Sequence, residues 1–185
     1  MTEKLFVPLL LLIAGALVGG VINAVVGRYA TFKEARGIAA ALRSEVESVL
    51  GMVRLRGYVQ EIDAVISRLR ENNHQPTHED IFAVKVTHDY FAVFHSLVSK
   101  IGLLGELSSP VVRLYIFGKA IVEDLELLRE MQGEVLRGEI GLKREGLLRF
   151  ATELQGLFQQ VLKDGPTVVD QLNDFAARRW LGIFP

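Results

Sequence analysis

Arg68 and His74 are the two residues whose types and spacing most nearly suggest a reaction. An arginine can stabilise charge building on a phosphorus centre while a nearby histidine moves a proton. The other histidines offer less. His74 and His78 stand at the spacing that puts two imidazoles on one helix face, but Pro76 between them removes that geometry. His88 and His95 fall on one face of an expected helix, among Tyr90, Phe91 and Phe94, with no third or fourth ligand evident. They read as partly buried histidines bonded to backbone. The chain has no cysteine, which excludes thiolate metal sites, disulfides and cysteine nucleophiles. Its serines form no nucleophile motif and it has no glycine-rich phosphate loop. No metal and no cofactor are expected.

Charge narrows the field further. Glu3 and Lys4 are the only charged residues before Arg28, which leaves 20 basic against 21 acidic residues in the remainder. Nucleic-acid binding needs a basic surplus or a basic face, so no nucleic-acid partner is expected. The uncharged run Leu5–Val26 is 22 residues of LFVPLLLLIAGALVGGVINAVV. As a helix it is about 33 Å long, enough for a hydrocarbon core of about 30 Å. The competing reading is a secretory signal cut after Ala14-Gly15-Ala16, but the run stays apolar for ten residues beyond Ala16. The anchor is the expectation: residues 1–27 in the bilayer and residues 28–185 as one helical domain. Arg28, Lys33, Arg36 and Arg43 follow the run while Lys4 alone precedes it, which places that domain in the cytoplasm. Gly15, Gly19 and Asn23 share one helix face, where small residues allow close backbone approach and an asparagine can bond across. A homo-oligomer is expected through this face, although glycine and alanine are common enough in such helices to produce the pattern by chance.

The remaining elements read as all-α. Phe32, Ala35, Ala39, Leu42, Val46, Val49 and Val53 form a heptad seam on a stalk continuous with the anchor. It suits a coiled coil between copies or, preferably, one face packed within its own bundle. A second helix is predicted over Tyr58–Glu71, a loop over Asn72–His78, and an extended lead-in before a helix over Asp89–Ile101. Gly102–Ser109 reads as a loop with Ser109-Pro110 starting the next helix. Helices over Pro110–Arg137, Leu142–Lys163 and Pro166–Trp180 complete a bundle of about five, Gly165-Pro166 separating the last two. The tail Arg178-Arg179-Trp180-Leu181-Gly182-Ile183-Phe184 could meet anionic headgroups or a partner groove. The plainer reading, that Trp180 and Phe184 close the bundle, is preferred.

The blocks AAALRSEVESVLGMVRLRGYVQEI (Ala39–Ile62), DYFAVFHSLVSKIGLLGELSSPVVRLY (Asp89–Tyr115) and GKAIVEDLELL (Gly118–Leu128) resemble an uncharacterised group of bacterial proteins. That group carries one N-terminal membrane helix and a small C-terminal helical domain. The resemblance implies a single-pass protein of the bacterial inner membrane and supplies no catalytic residue. Separately, Arg68 and His74 match the loose arginine-to-histidine spacing of HEPN ribonucleases, which are helical and in some antiviral systems membrane-anchored. Leu69 stands where that motif has a polar residue, and His74 falls in an expected loop. The expectation is therefore a membrane-tethered interaction or scaffolding protein, self-associating and without catalysis of its own. Its further partner is a protein that the sequence does not name. The alternative is a membrane-anchored antiviral effector, either pore-forming or HEPN-like.

Overall fold

The structure is a computed structural model that describes residues 3–71, 76–81, 90–137 and 143–179. The described residues form helices joined by short turns, with no strand among them. They comprise α1 (Glu3–Leu55), α2 (Tyr58–Glu71), a short α3 (Ala92–Leu97) running into a 3-10 segment (Val98–Leu107), α4 (Ser108–Leu136) and α5 (Arg144–Ala177).

α1 is one helix of 53 residues, about 80 Å long at 1.5 Å per residue. No proline follows Pro8 until Pro76, and Ala39-Ala40-Ala41 favours the helical state, so nothing local interrupts it. Its two halves have opposite surroundings. Leu17, Val21 and Val26 are exposed, whereas Ala39 and Leu42 are wholly buried. The seam through Ala35, Ala39, Leu42 and Val46 is thus covered by the same chain, with Ile38 and Leu50 joining it. The stalk is one wall of its own bundle.

α5 is the hub, packed against α1, α2 and α4. Contacts along it run in register without reversal. Arg36 meets Ala176, Arg43 meets Asn173, Leu50 faces Gly165, Tyr58 touches Phe158, Asp63 meets Gln155, and Arg144 bonds the Leu69 carbonyl. α1 and α2 therefore lie end to end along one antiparallel partner. Gly57 is a joint rather than a hairpin: its φ of +65° costs little without a Cβ, and its N–H closes a turn onto the Arg54 carbonyl. Arg144 donates to the carbonyls of Leu69 and Arg70, groups left orphaned at the end of α2. α4 also runs antiparallel to α5, since Pro110 lies beside Gln171 while Asp124 feels Glu153. Leu42, Ile62, Val111, Leu128, Leu154, Phe158 and Leu172 are the fully buried centre, each stabilising the fold by about 1.5–3 kcal/mol.

Two boundaries differ from the sequence expectation. The helices predicted on either side of Gly165-Pro166 are one helix, α5, with Pro166 inside it. Among the described residues, four helices of fourteen residues or more therefore stand where a bundle of about five was expected. A proline inside a helix costs about 3 kcal/mol, which burial of Val161, Val168 and Leu172 offsets. Gly165 is needed for packing, not termination: a Cβ there would stand 2.8 Å from both methyl carbons of Leu50. The expected loop over Gly102–Ser109 is largely 3-10 helix, turned at Gly105 with φ +60°. α4 starts at Ser108, whose hydroxyl bonds back to the Ile101 carbonyl at 2.8 Å, so Ser109 is not its cap. The expected lead-in before Asp89 lies, apart from Ile81, outside the described residues.

Candidate functional site

The half of α1 outside the bundle is the feature with the clearest physical demand. Leu12, Leu17, Val18, Val21, Ile22, Val25 and Val26 are between 45 % and 70 % exposed, with no charged residue among them. Left in water, side chains of this kind forgo burial on the order of 10 kcal/mol together. Gly15 and Gly19 have open space where a Cβ would be, and Asn23 is exposed on the same face. The structure brings these three together on one helix face, as their spacing requires.

Two helices are long and apolar enough to cross a membrane, Ala14–Leu55 and the run Ala92–Leu136. They differ in surroundings. The apolar window of the first has no buried residue, while 28 % of the second is buried. The second also supplies Val111, Leu114, Ile121, Leu125 and Leu128 to the core.

Where α1 enters the bundle, one carboxylate fastens it. Glu45 accepts the backbone N–H groups of Val93 at 2.7 Å and Phe94 at 3.0 Å, and the Tyr115 hydroxyl at 2.5 Å. It thereby satisfies donors at the start of α3 from 48 residues away in sequence. Tyr115 is stacked on Phe94 at 3.8 Å between ring centroids and meets Phe91 edge-on at 5.3 Å. Burial first, then the Glu45 carboxylate, pushes the Tyr115 hydroxyl well above the ordinary tyrosine range. Phe91 in turn sits over Gly118, where a Cβ would come within 2.7 Å of its ring. Beside this cluster an apolar cavity of about 50 Å³ is lined by Val49, Met52, Phe91, Val122 and Val161 among others. Nothing local in the sequence marks Glu45. In ALRSEVESVL it is one glutamate of two on a charged helix, and only its distant partners set it apart.

Arg68 lies on α2 with its guanidinium 3.8 Å from the Asp80 carboxylate. Asp80 is buried and also accepts the Thr77 N–H at 2.9 Å, so Arg68 contributes to pinning the Thr77–Asp80 turn against α2. His74 lies outside the described residues, and so does His88. His78 and His95 are exposed, and no group of three or more potential metal-ligating side chains occurs among the described residues. Arg178 and Arg179 are exposed just past the end of α5, with the Arg178 guanidinium 5.1 Å from the Phe175 ring centre. Trp180 and Phe184 lie outside the described residues.

Comparison of the chain with protein families, curated proteins and solved structures finds no match. The functional reading therefore rests on the physical character of the surfaces described above.

Proposed function

We propose that this protein is a membrane-tethered helical scaffold. In this reading the apolar half of α1 spans the bilayer once and the bundle stands on its cytoplasmic side, at the inner membrane of a bacterium. The observation that carries the reading is the division of a single helix. Leu12, Leu17, Val18, Val21, Ile22, Val25 and Val26 expose their apolar side chains, whereas Ala35, Ile38, Ala39, Leu42, Val46 and Leu50 of the same helix are core. Such a helix has no break at which the two halves could move independently, so the bundle is held at a fixed height above the lipid. Gly15, Gly19 and Asn23 pair one copy with another within the membrane, and the bundle presents its surface to a protein partner.

The arginines after Val26 give the orientation, because Lys and Arg near a span are retained on the cytoplasmic side. Alkaline carbonate extraction of native membranes tests the reading. Full-length protein stays with the membrane pellet under this account; release into the supernatant contradicts it.

A further inference from the structure

The register between α1 and α5 decides where the end of the bundle lies. Arg36 Nε donates to the Ala176 carbonyl at 2.6 Å, and α5 stops at Ala177. Arg178 and Arg179 therefore emerge beside Arg36, about 12 Å along the axis from Arg28 at 1.5 Å per residue. Lys100 reaches the same end, placed there by its ion pair with Glu34 at 2.5 Å. Arg28, Lys33, Arg178 and Arg179 are exposed and make no ion pair among the described residues. Among the described residues the acids nearest this end are Glu34, taken by Lys100, Glu106 and Asp174 around a shallow groove that Arg178 borders, and Asp170 one turn before Asp174.

The far part of α4 is mixed in charge: Glu123, Asp124, Glu126, Glu130 and Glu134 are interleaved with Lys119, Arg129 and Arg137, and Lys119 pairs with Glu123. Burial, and after it Glu123 and Glu153, push the Asp124 carboxyl above its ordinary value. The exposed cluster Arg28, Lys33, Arg178 and Arg179 thus lies at the end that faces the exposed apolar half of α1.

We propose that this basic end docks on the anionic phospholipid headgroups of the bilayer that α1 enters, with Arg178 and Arg179 as the principal contacts. The inference rests on the reading of α1 as a membrane span. An arginine fork matches phosphate oxygens in pairs, and its long side chain carries the charge towards the surface. A cation within a Debye length of an anionic surface, about 8 Å at physiological salt, is attracted to it, and a zwitterionic surface of no net charge exerts little of that pull. Docking at a second point, at the far end of the chain from α1, would hold the bundle upright or tilted rather than leave it free to precess about its stalk.

The one tryptophan, Trp180, follows Arg179 directly and reports on this contact without a label. Full-length protein is reconstituted in phosphatidylcholine–phosphatidylglycerol vesicles in which either one lipid or the other carries brominated acyl chains. The expected result is about twofold stronger quenching of Trp180 by the brominated anionic lipid, falling to parity at high salt. The variant R178A/R179A loses the preference and R178K/R179K keeps most of it, both with unchanged helicity. Equal quenching by the two lipids in the unaltered chain, or an unchanged preference in R178A/R179A, overturns the proposal. Carbonate extraction of the same vesicles separates the two claims. Release of the protein overturns the reading of α1 itself, whereas retention with lipid-independent quenching overturns only the headgroup contact.

Discussion

Leu50 on α1 and Gly165 on α5 are fitted to each other, both methyl carbons of the leucine lying 2.8 Å from the place a Cβ would occupy on the glycine. The contact sits between the Arg43–Asn173 and Tyr58–Phe158 pairs and fixes the register that brings α1 and α2 along a single partner helix. It also explains why a proline at 166 does not end α5, since the chain there is held from outside as well as by its own hydrogen bonds.

Gly165→Ala should therefore destabilise the bundle despite the better helix propensity of alanine. Overpacking a core by a methyl group costs about 1–3 kcal/mol, against a propensity gain of up to about 1 kcal/mol. Leu50→Ala alone should cost about 2–5 kcal/mol by leaving a cavity. Combined, the two should cost less than the sum of the separate effects, because the added methyl enters space that the leucine has left. Chemical denaturation of the four proteins measures this, and strict additivity would remove Leu50–Gly165 as the register contact.

Glu45 fastens α3 to α1, so Glu45→Ala should be among the costliest substitutions of a partly buried polar residue. It strands two backbone donors and the Tyr115 hydroxyl, a loss of about 2–4 kcal/mol, while Glu45→Gln keeps one acceptor and should cost less. Hydrogen exchange at Val93 and Phe94 reads the local part of this effect. Protection there should fall in Glu45→Ala before protection in α5 does.

Alkaline pH should act on the same cluster through Tyr115. Its hydroxyl is held protonated above the usual 10.0, so the native state binds this proton more tightly than the unfolded chain does. The resulting stability is complete below about pH 10 and declines above it, at about 1.4 kcal/mol per pH unit for this group. Tyr115→Phe should be less stable than the parent at neutral pH and show a shallower decline above pH 10. An identical alkaline profile in the variant would contradict the assigned cause.

Gly15 and Gly19 face open space in the single chain, so Gly15→Ile and Gly19→Ile should leave the bundle intact. On the proposed pairing of membrane helices, both should abolish crosslinking between copies in membranes. The absence of cysteine allows a single introduced cysteine to report the contact without background. Crosslinking that persists in both variants would move self-association elsewhere.

Much of the architecture is legible in the sequence because it follows from periodicity. The seam through Ala35, Ala39, Leu42 and Val46 announces a buried face, and the uncharged run before Arg28 announces one whose described apolar side chains, from Leu12 to Val26, stay exposed. What is not legible depends on partners distant along the chain. Gly165-Pro166 carries the local signature of a helix stop, and only Leu50, 115 residues earlier, gives the glycine its other meaning. Glu45 resembles any exposed helix glutamate until α3 and Tyr115 are placed against it. Ser109-Pro110 has the right chemistry for a helix start, but Ser108 turns back to Ile101 and the helix begins two residues sooner, at Ser108 rather than Pro110.

Reactivity of single cysteines towards a membrane-impermeant maleimide, in sealed inverted vesicles, tests the central claim most directly. Val21→Cys and Ala40→Cys are both exposed positions on the one continuous helix α1, on either side of Arg28. The account predicts that the cysteine at 40 reacts readily and the cysteine at 21 does not. Equal labelling at both would place the first half of α1 in water and contradict it.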